Sequence, residues 1–161
     1  MPWSIPLPRQ PVEILLVEDN LGDVRLLEEA LKEGGFGGCK LSVAGDGEQA
    51  MAFLRQEGAY ENSSRPTFIL LDLNLPRKNG QEVLAEIKQD EHLRQIPVFI
   101  LSTSTRSEDI NTAYDLHANC YIAKPGNLAD LVEVGKIIEA FWLRTVLLPS
   151  SLRSRSHAAS R

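Results

Sequence analysis

The sequence has little cysteine, no excess of positive charge and no long uncharged hydrophobic run. Its 161 residues include two cysteines, Cys39 and Cys120, and neither lies in a CxxC or Cys/His pattern that would bind a metal ion. We therefore expect two buried free thiols in a reducing compartment. The formal net charge of −5 argues against a protein that binds nucleic acid.

Signals for secretion and for membrane insertion are also missing. Residues 1–11 are rich in proline and lack the apolar core of a signal peptide, so we predict an extended N-terminal segment there. The longest apolar stretch carries Lys136, Glu139 and Arg144, which excludes a membrane-spanning helix. Residues 149–161 have little apolar content and are predicted to form a disordered tail. These features favour a cytoplasmic protein that does not contact a membrane.

What the sequence does contain is a regular alternation of strand and helix patterns between residues 12 and 148. The predicted strands are residues 12–17, 39–44, 67–72, 97–102 and 120–124. The predicted helices are residues 21–35, 46–58, 79–93, 107–117 and 127–148. Five strands alternating with helices predict an α/β domain with a parallel sheet and helices on both faces. Asn20 is expected to cap the first helix, with Asp23 three residues later.

Polar side chains follow four of the five predicted strands. Glu18 and Asp19 follow the first strand, Asp72 ends the third, Ser102 ends the fourth and Lys124 ends the fifth. In a parallel sheet with helices on both faces, ligands bind beyond the carboxyl ends of the strands. The second strand offers no such group and is expected at the margin of the sheet. The other four strand ends therefore predict one functional site.

The charges in this predicted site do not balance. Glu18, Asp19 and Asp72 carry three negative charges, and Lys124 carries one positive charge. A divalent cation would neutralise the excess, and Mg²⁺ prefers a few carboxylates together with waters and phosphate oxygens. Each residue alone has an ordinary explanation, such as a helix cap or a turn. Their coincidence at four strand ends favours a site for Mg²⁺ and a phosphoryl group.

Four separated motifs carry a resemblance to a known family. The segments ILLVEDN, LLDLNLPRKNG, PVFILSTS and CYIAKP resemble the receiver domain of two-component response regulators, over residues 12–145. Three longer segments, VEDNLGDVRLLEEALKE, LDLNLPRKNG and YDLHANCYIAKP, are similar more narrowly to the single-domain regulators of cyanobacterial phytochromes. The resemblance implies a flavodoxin-like sheet with strand order 2-1-3-4-5. It also implies a phospho-accepting switch that is not an enzyme, although it assists its own Mg²⁺-dependent phosphorylation and dephosphorylation.

The resemblance implies a role for each residue at the strand ends. Asp72 would accept the phosphoryl group, and Lys124 would bind one of its oxygens. Glu18, Asp19 and Asp72 would hold Mg²⁺, together with the backbone carbonyl of Asn74. The phosphoryl donor would be a histidine kinase, of the phytochrome type by the narrower resemblance.

The resemblance also implies a conformational switch. Ser102 would move to bond the phosphoryl group, and the ring of Tyr121 would turn into the space that Ser102 leaves. Three positions depart from the residues usual in the family. Glu18 stands where many relatives have aspartate, Thr103 where a small residue is usual, and Gly126 where an aromatic residue is common.

The last predicted helix has more apolar residues than one core-facing stripe requires. Phe141, Trp142 and Leu143 follow one another and cannot all face the same sheet. An extra apolar face predicts a protein partner, and we expect a homodimer through the fourth helix, fifth strand and fifth helix. The alternative is that this helix end packs against the N-terminal segment WSIPL. With only a short basic tail after the helix, we expect output through protein–protein contact.

Two other classes of protein remain as alternatives. Haloacid-dehalogenase-type phosphatases also use an aspartate nucleophile, Mg²⁺ and a lysine, but they need a second carboxylate two residues after the nucleophile. Asn74 occupies that position here, so turnover of external phosphate esters is not expected. An inert flavodoxin-like scaffold would leave the polar residues at four strand ends unexplained.

Overall fold

Strands and helices alternate along the whole of the described chain. The structure is a computed structural model that describes residues 12–36 and 38–149. Within these residues the strands are β1 Glu13–Val17, β2 Lys40–Ala44, β3 Phe68–Leu71, β4 Val98–Ser102 and β5 Cys120–Ala123. The helices are α1 Leu21–Leu31, α2 Gly47–Arg55, α3 Gly80–Gln89, α4 Ser107–Asp115 and α5 Leu128–Ile138.

The strands form one parallel sheet in the order β2-β1-β3-β4-β5. This confirms the predicted flavodoxin-like order, with the second strand at the margin. The register aligns the strand ends, because Val17 at the end of β1 pairs with both Ala44 and Leu71, and Ser102 pairs with Ala123. Side chains that follow β1, β3, β4 and β5 therefore leave the sheet along the same edge.

Helices cover both faces of the sheet, as predicted. Ile14 and Leu16 of β1 pack in a core with α1 and α5, whereas Leu15 and Val17 pack in a second core with α2, α3 and part of α4. Strands β3 and β4 are buried at every position. Burial on both faces explains why the inner strands read as unbroken apolar runs.

Four helices begin at a residue whose side chain caps them. Asn20, Asp46, Asn79 and Asn127 each accept a hydrogen bond from the backbone N–H three residues later, at the start of α1, α2, α3 and α5. The cap at Asn20 was predicted. After α1 the chain makes one wider helical turn that includes Gly35, whose φ of 108° lies in the region that favours glycine. The helix α1 itself ends at Leu31, earlier than the predicted end at residue 35, and helical backbone angles are lost at Gly35.

The last helix is shorter than predicted. Residues 127–148 were expected to be helical, but α5 continues only as a wider turn over Glu139–Leu143. Just after this turn, the hydroxyl of Thr145 donates to the carbonyl of Ala140 at 2.8 Å. The extended segment 1–11, the packing of WSIPL and the tail from residue 150 onward lie outside the described residues.

Both cysteines are free and only half-buried, rather than fully buried as expected. Burial raises the pKa of both thiols, that of Cys120 to about 11, and Glu139 adds to the rise at Cys39. The unreactive thiol form is therefore favoured at neutral pH. Among the described helices, none combines the length and the apolar character that crossing a membrane requires.

Lys88 ties α3 to the segments that lead into β4 and β5, at the end of the sheet opposite the polar residues. Its ammonium group donates to the carbonyls of Arg94 and Ile96 at 3.0 and 2.9 Å and to Asn119 Oδ1 at 3.0 Å. The same oxygen of Asn119 accepts the N–H of Val98 at 2.9 Å. Burial lowers the pKa of Lys88 to about 8.

The depressed pKa of Lys88 predicts a pH-dependent contribution to stability. Between about pH 8 and pH 10.5 the unfolded chain binds this proton more tightly than the folded protein does. The free energy of unfolding of the wild type, relative to that of Lys88→Met, should therefore rise with pH across this interval. Urea unfolding at several pH values measures the difference. The exposed Lys32, changed to Met, should show no such trend, and parallel curves for wild type and Lys88→Met would contradict the prediction.

Candidate functional site

The predicted polar residues meet at the carboxyl edge of the sheet. Glu18, Asp72 and Ser102 are almost completely buried, with exposures of 2%, 8% and 0%. The side chain of Lys124 is only 7% exposed, whereas Asp19 lies at the surface. These side chains come from the ends of β1, β3, β4 and β5, as the strand pattern predicted.

The ammonium group of Lys124 links three carboxylates. Its Nζ lies 2.7 Å from Glu18 Oε2, 3.2 Å from Asp72 Oδ2 and 3.3 Å from Asp23 Oδ2. An ammonium group has three N–H donors, so these three contacts use all of them. Lys124 therefore holds together residues from β1, α1 and β3.

The electrostatics of this cluster favour additional positive charge. Burial, and then the neighbouring carboxyl of Asp72, raise the pKa of Glu18 to about 7, while the bond from Lys124 opposes the rise. Burial alone would lower the pKa of Lys124, but its bonds and attraction to Glu18 and Asp72 outweigh that effect and raise it. One lysine thus does not fully compensate the carboxylates.

The same carboxylates are close enough to share a metal ion. One oxygen from each of Glu18, Asp19 and Asp72 can be chosen so that all three lie within 4.8 Å of one another. Such a set of hard oxygen ligands fits a divalent cation such as Mg²⁺ or Mn²⁺. The backbone N–H of Asn74 donates to Asp72 Oδ1 at 3.0 Å, which fixes the turn after β3.

Ser102 and Tyr121 belong to a second group beside the carboxylates. The hydroxyl of Ser102 accepts the N–H of Ser104 at 3.2 Å, and the hydroxyl of Tyr121 donates to the carbonyl of Ser104 at 2.9 Å. Ser104 in turn donates to Asp109 at 2.5 Å. A cavity of about 200 Å³, lined in part by Asn74, Ser102 and Asp109, lies over this group. Tyr121 is therefore already bonded to the segment between β4 and α4.

A family model for the response regulator receiver domain matches residues 14–136, most of the chain. The chain belongs to this family. Receiver domains are signalling switches that accept a phosphoryl group, and the predicted resemblance is confirmed.

Relatives associated with phytochromes match this receiver domain over nearly their whole length. The response regulator Rcp1 of Synechocystis sp. is 53% identical over 141 residues, which are 88% of this chain and 95% of Rcp1. The crystal structure of the phosphorylated cyanobacterial phytochrome response regulator RcpA superposes on this chain with a TM-score of 0.82. The two sequences are 55% identical, and the match covers 88% of this chain and 100% of the RcpA chain. The Mn²⁺-bound form of Rcp1 has a TM-score of 0.79 at 54% identity, over 86% of this chain and 99% of that one.

Asp23 is the residue of this cluster that the sequence analysis did not place. It was expected only to follow the cap of α1, and its N–H does donate to Asn20 Oδ1 at 3.0 Å. Its carboxylate also reaches Lys124. The sequence carried no clear signal for this contact, because Asp19 precedes the helix and the spacing between the two aspartates is therefore not a helical one.

Two glycines allow the segment after Asp72 to fold closely against the rest of the domain. A Cβ at Gly80 would lie 2.5 Å from the Cα of Leu73 and would also collide with the carbonyl oxygen of Asp72. A Cβ at Gly47, in α2, would lie 2.8 Å from the Cβ of Lys78. The backbone at Asp72 and Leu73 thus packs against Gly80 so closely that a side chain at position 80 would not fit.

Gly80→Ala is expected to destabilise the receiver domain by about 1–3 kcal/mol, since backbone atoms must shift to admit the methyl group. Gly126→Ala is the matched control, because a Cβ at Gly126 has nothing within 4 Å. Urea unfolding of both variants measures the effect. Equal stability of the two would show that the close contact at Gly80 is not a constraint.

Proposed function

We propose that Asp72 is the residue of this receiver domain that accepts the phosphoryl group. The observation that carries the proposal is the position of its carboxylate, 3.2 Å from the ammonium of Lys124 and within 4.8 Å of the carboxylates of Glu18 and Asp19. Asp72 is 8% exposed, so its carboxylate is largely shielded from water beside the ammonium of Lys124. Among the aspartates of the described cluster, Asp72 alone comes directly after a strand, β3.

The divalent cation proposed for this site is Mg²⁺, held by Glu18, Asp19, Asp72 and the backbone carbonyl of Asn74. The Mn²⁺-bound form of Rcp1 supports a divalent metal in a relative of this chain. When bound, the cation would neutralise charge on the carboxylates and on phosphoryl oxygens.

The proposed transfer is a displacement at phosphorus. An oxygen of Asp72 attacks the phosphoryl group of a phosphohistidine, the new P–O bond forms as the P–N bond breaks, and the imidazole leaves with the electron pair of that bond. Lys124 stabilises the negative charge of the phosphoryl oxygens. Because phosphoryl transfer depends on positioning and charge compensation, these contacts also assist the reaction with small phosphodonors.

The acyl phosphate on Asp72 would then bias the packing of β4 and α4. Its oxygens offer strong hydrogen-bond acceptors to the hydroxyl of Ser102. Movement of Ser102 would alter its bond with Ser104, and Tyr121 donates to the carbonyl of that same residue. The proposed response is a shift between two packings that phosphorylation stabilises unequally.

The phosphoryl donor proposed for this chain is a phytochrome-type histidine kinase in the cytoplasm. Similarity to the cyanobacterial phytochrome response regulator RcpA over 88% of the chain supports this partner. Light would then reach the receiver domain as phosphorylation of Asp72.

The assignment of Asp72 is tested by labelling with a small phosphodonor in Mg²⁺ buffer. Asp72→Asn should abolish labelling, because an amide cannot form a stable acyl phosphate under these conditions. Asp115→Asn, at the exposed end of α4, is the control and should label like the wild type. Stable labelling of Asp72→Asn, read from a phosphate-affinity gel, would refute the assignment.

We also propose a homodimer through α4, β5 and α5. Three large apolar side chains are exposed on this part of the described chain: Tyr114 at 49%, Ile137 at 66% and Phe141 at 52%. Trp142 and Leu143, by contrast, pack against the core on the α1 and α5 face. Helices with apolar side chains on an exposed face can bury them against a second copy.

The dimer is tested by light scattering at tens of micromolar protein, with and without phosphorylation. Phe141→Ser should weaken association about tenfold, because removing a buried aromatic anchor from an interface costs more than about 1 kcal/mol. Val43→Ser, which removes an exposed apolar side chain from the far edge of the sheet, should have no effect. A wild type that is monomeric in both states removes the proposal.

A further inference from the structure

The ammonium of Lys124 has no N–H to offer to an incoming phosphoryl group in this structure. Its three donors are used by Glu18, Asp23 and Asp72. If Lys124 is to contact a phosphoryl oxygen, as the proposed function requires, one of these three carboxylates must release it.

Asp23 is the carboxylate that can release Lys124 most easily. Its contact is the longest of the three, at 3.3 Å against 2.7 Å for Glu18 and 3.2 Å for Asp72. The side chain of Asp23 is 42% exposed, whereas that of Glu18 is 2% exposed. A released Asp23 carboxylate would be hydrated at once, whereas Glu18 is almost completely buried and would lose the cation that faces its carboxylate.

The backbone of Asp23 does not need to move for this release. Its N–H is held by Asn20 Oδ1 at 3.0 Å in the cap of α1, so rotation of the side chain alone breaks the contact with Lys124. A cavity of about 140 Å³, lined by Asp23, Thr103, Lys124, Gly126 and neighbouring residues, adjoins the pair. The side chain therefore has open space beside it, and the helix start can remain intact.

We infer that Asp23 is a positioning residue whose carboxylate keeps the ammonium of Lys124 occupied in the resting receiver domain. Phosphoryl acceptance is slowed until the contact between Asp23 and Lys124 breaks. The inference rests on the proposed roles of Asp72 and Lys124. It adds that the charge of Asp23 competes directly with the phosphoryl group for the same ammonium. The resting receiver domain is thus made less reactive toward phosphodonors by a residue that touches neither the donor nor Asp72.

Asp23→Asn tests the inference, because the amide keeps the size and a hydrogen-bond acceptor but removes the charge. The rate of labelling by a small phosphodonor is measured at saturating Mg²⁺, so that a change in metal affinity does not enter. We expect labelling about two- to tenfold faster than in the wild type, in keeping with the strength of a partly exposed ion pair. The difference should shrink as the salt concentration rises, because the pair is screened.

Two matched variants separate this role from a general effect of charge or stability. Asp23→Glu keeps the carboxylate and should label at close to the wild-type rate. Glu29→Gln removes one negative charge from the exposed side of α1, about 9 Å farther along the helix, and should also match the wild type. Thermal unfolding of all variants shows whether any change in rate comes from lost structure.

The donor itself supplies a further comparison. Acetyl phosphate and the less negatively charged phosphoramidate should both react faster with Asp23→Asn, because the proposed effect acts on Lys124. Acceleration with acetyl phosphate alone would show simple repulsion of the donor and would overturn the inference. If Asp23→Asn is labelled no faster than the wild type, the inference is also overturned. The proposed function would still stand in that case, provided that labelling continues to require Asp72. Labelling of Asp72→Asn would instead remove the proposed function and the inference with it.

Discussion

The ion pairs of Lys124 are the interaction on which this site depends. Its side chain is 7% exposed and joins carboxylates that would otherwise repel one another at the edge of the sheet. Removing one partner of a buried ion pair typically costs about 3–5 kcal/mol, a large part of the roughly 5–15 kcal/mol that stabilises a domain. Yet one positive charge does not balance the cluster. The site is thus held together well enough to fold and remains attractive to a cation.

The contacts of Lys124 depend on the register of the whole parallel sheet. Asp72 follows β3 at the centre of the sheet, with Glu18 on one side and Ser102 on the other. Lys124 reaches the carboxylates from β5, the strand at the edge of the sheet. The core residues on both faces fix the strands, and the strands fix the distances between charges. The packing of the core therefore also sets the distances between Lys124 and the carboxylates, because a shift of any of these strands would change the contacts of Lys124.

The parallel sheet and the meeting of the polar residues at one edge could be predicted from the strand pattern, whereas the full strand order was implied by the resemblance to receiver domains. Apolar runs located the strands, and parallel strands bring their following residues to one edge. The contact of Asp23 with Lys124 could not be predicted in this way, since it depends on the rotamer of a side chain in the first turn of α1. The bond from Tyr121 to Ser104 depends likewise on the path of a loop. The end of the last helix was missed because the apolar pattern continues past Ile138, where the regular helix gives way to a wider turn.

The hydrogen bonds around Lys88 hold the start of β4 in place. At the start of the strand, the N–H of Val98 is held by Asn119, which also accepts from Lys88. At the other end, Ser102 leads directly into the cavity and the loop before α4. The other end is also held, because Ser102 is fully buried and its carbonyl accepts the N–H of Lys124 at 2.7 Å. A displacement of Ser102 would therefore disturb the backbone at Lys124, so that β4 and the lysine that links the carboxylates would respond together.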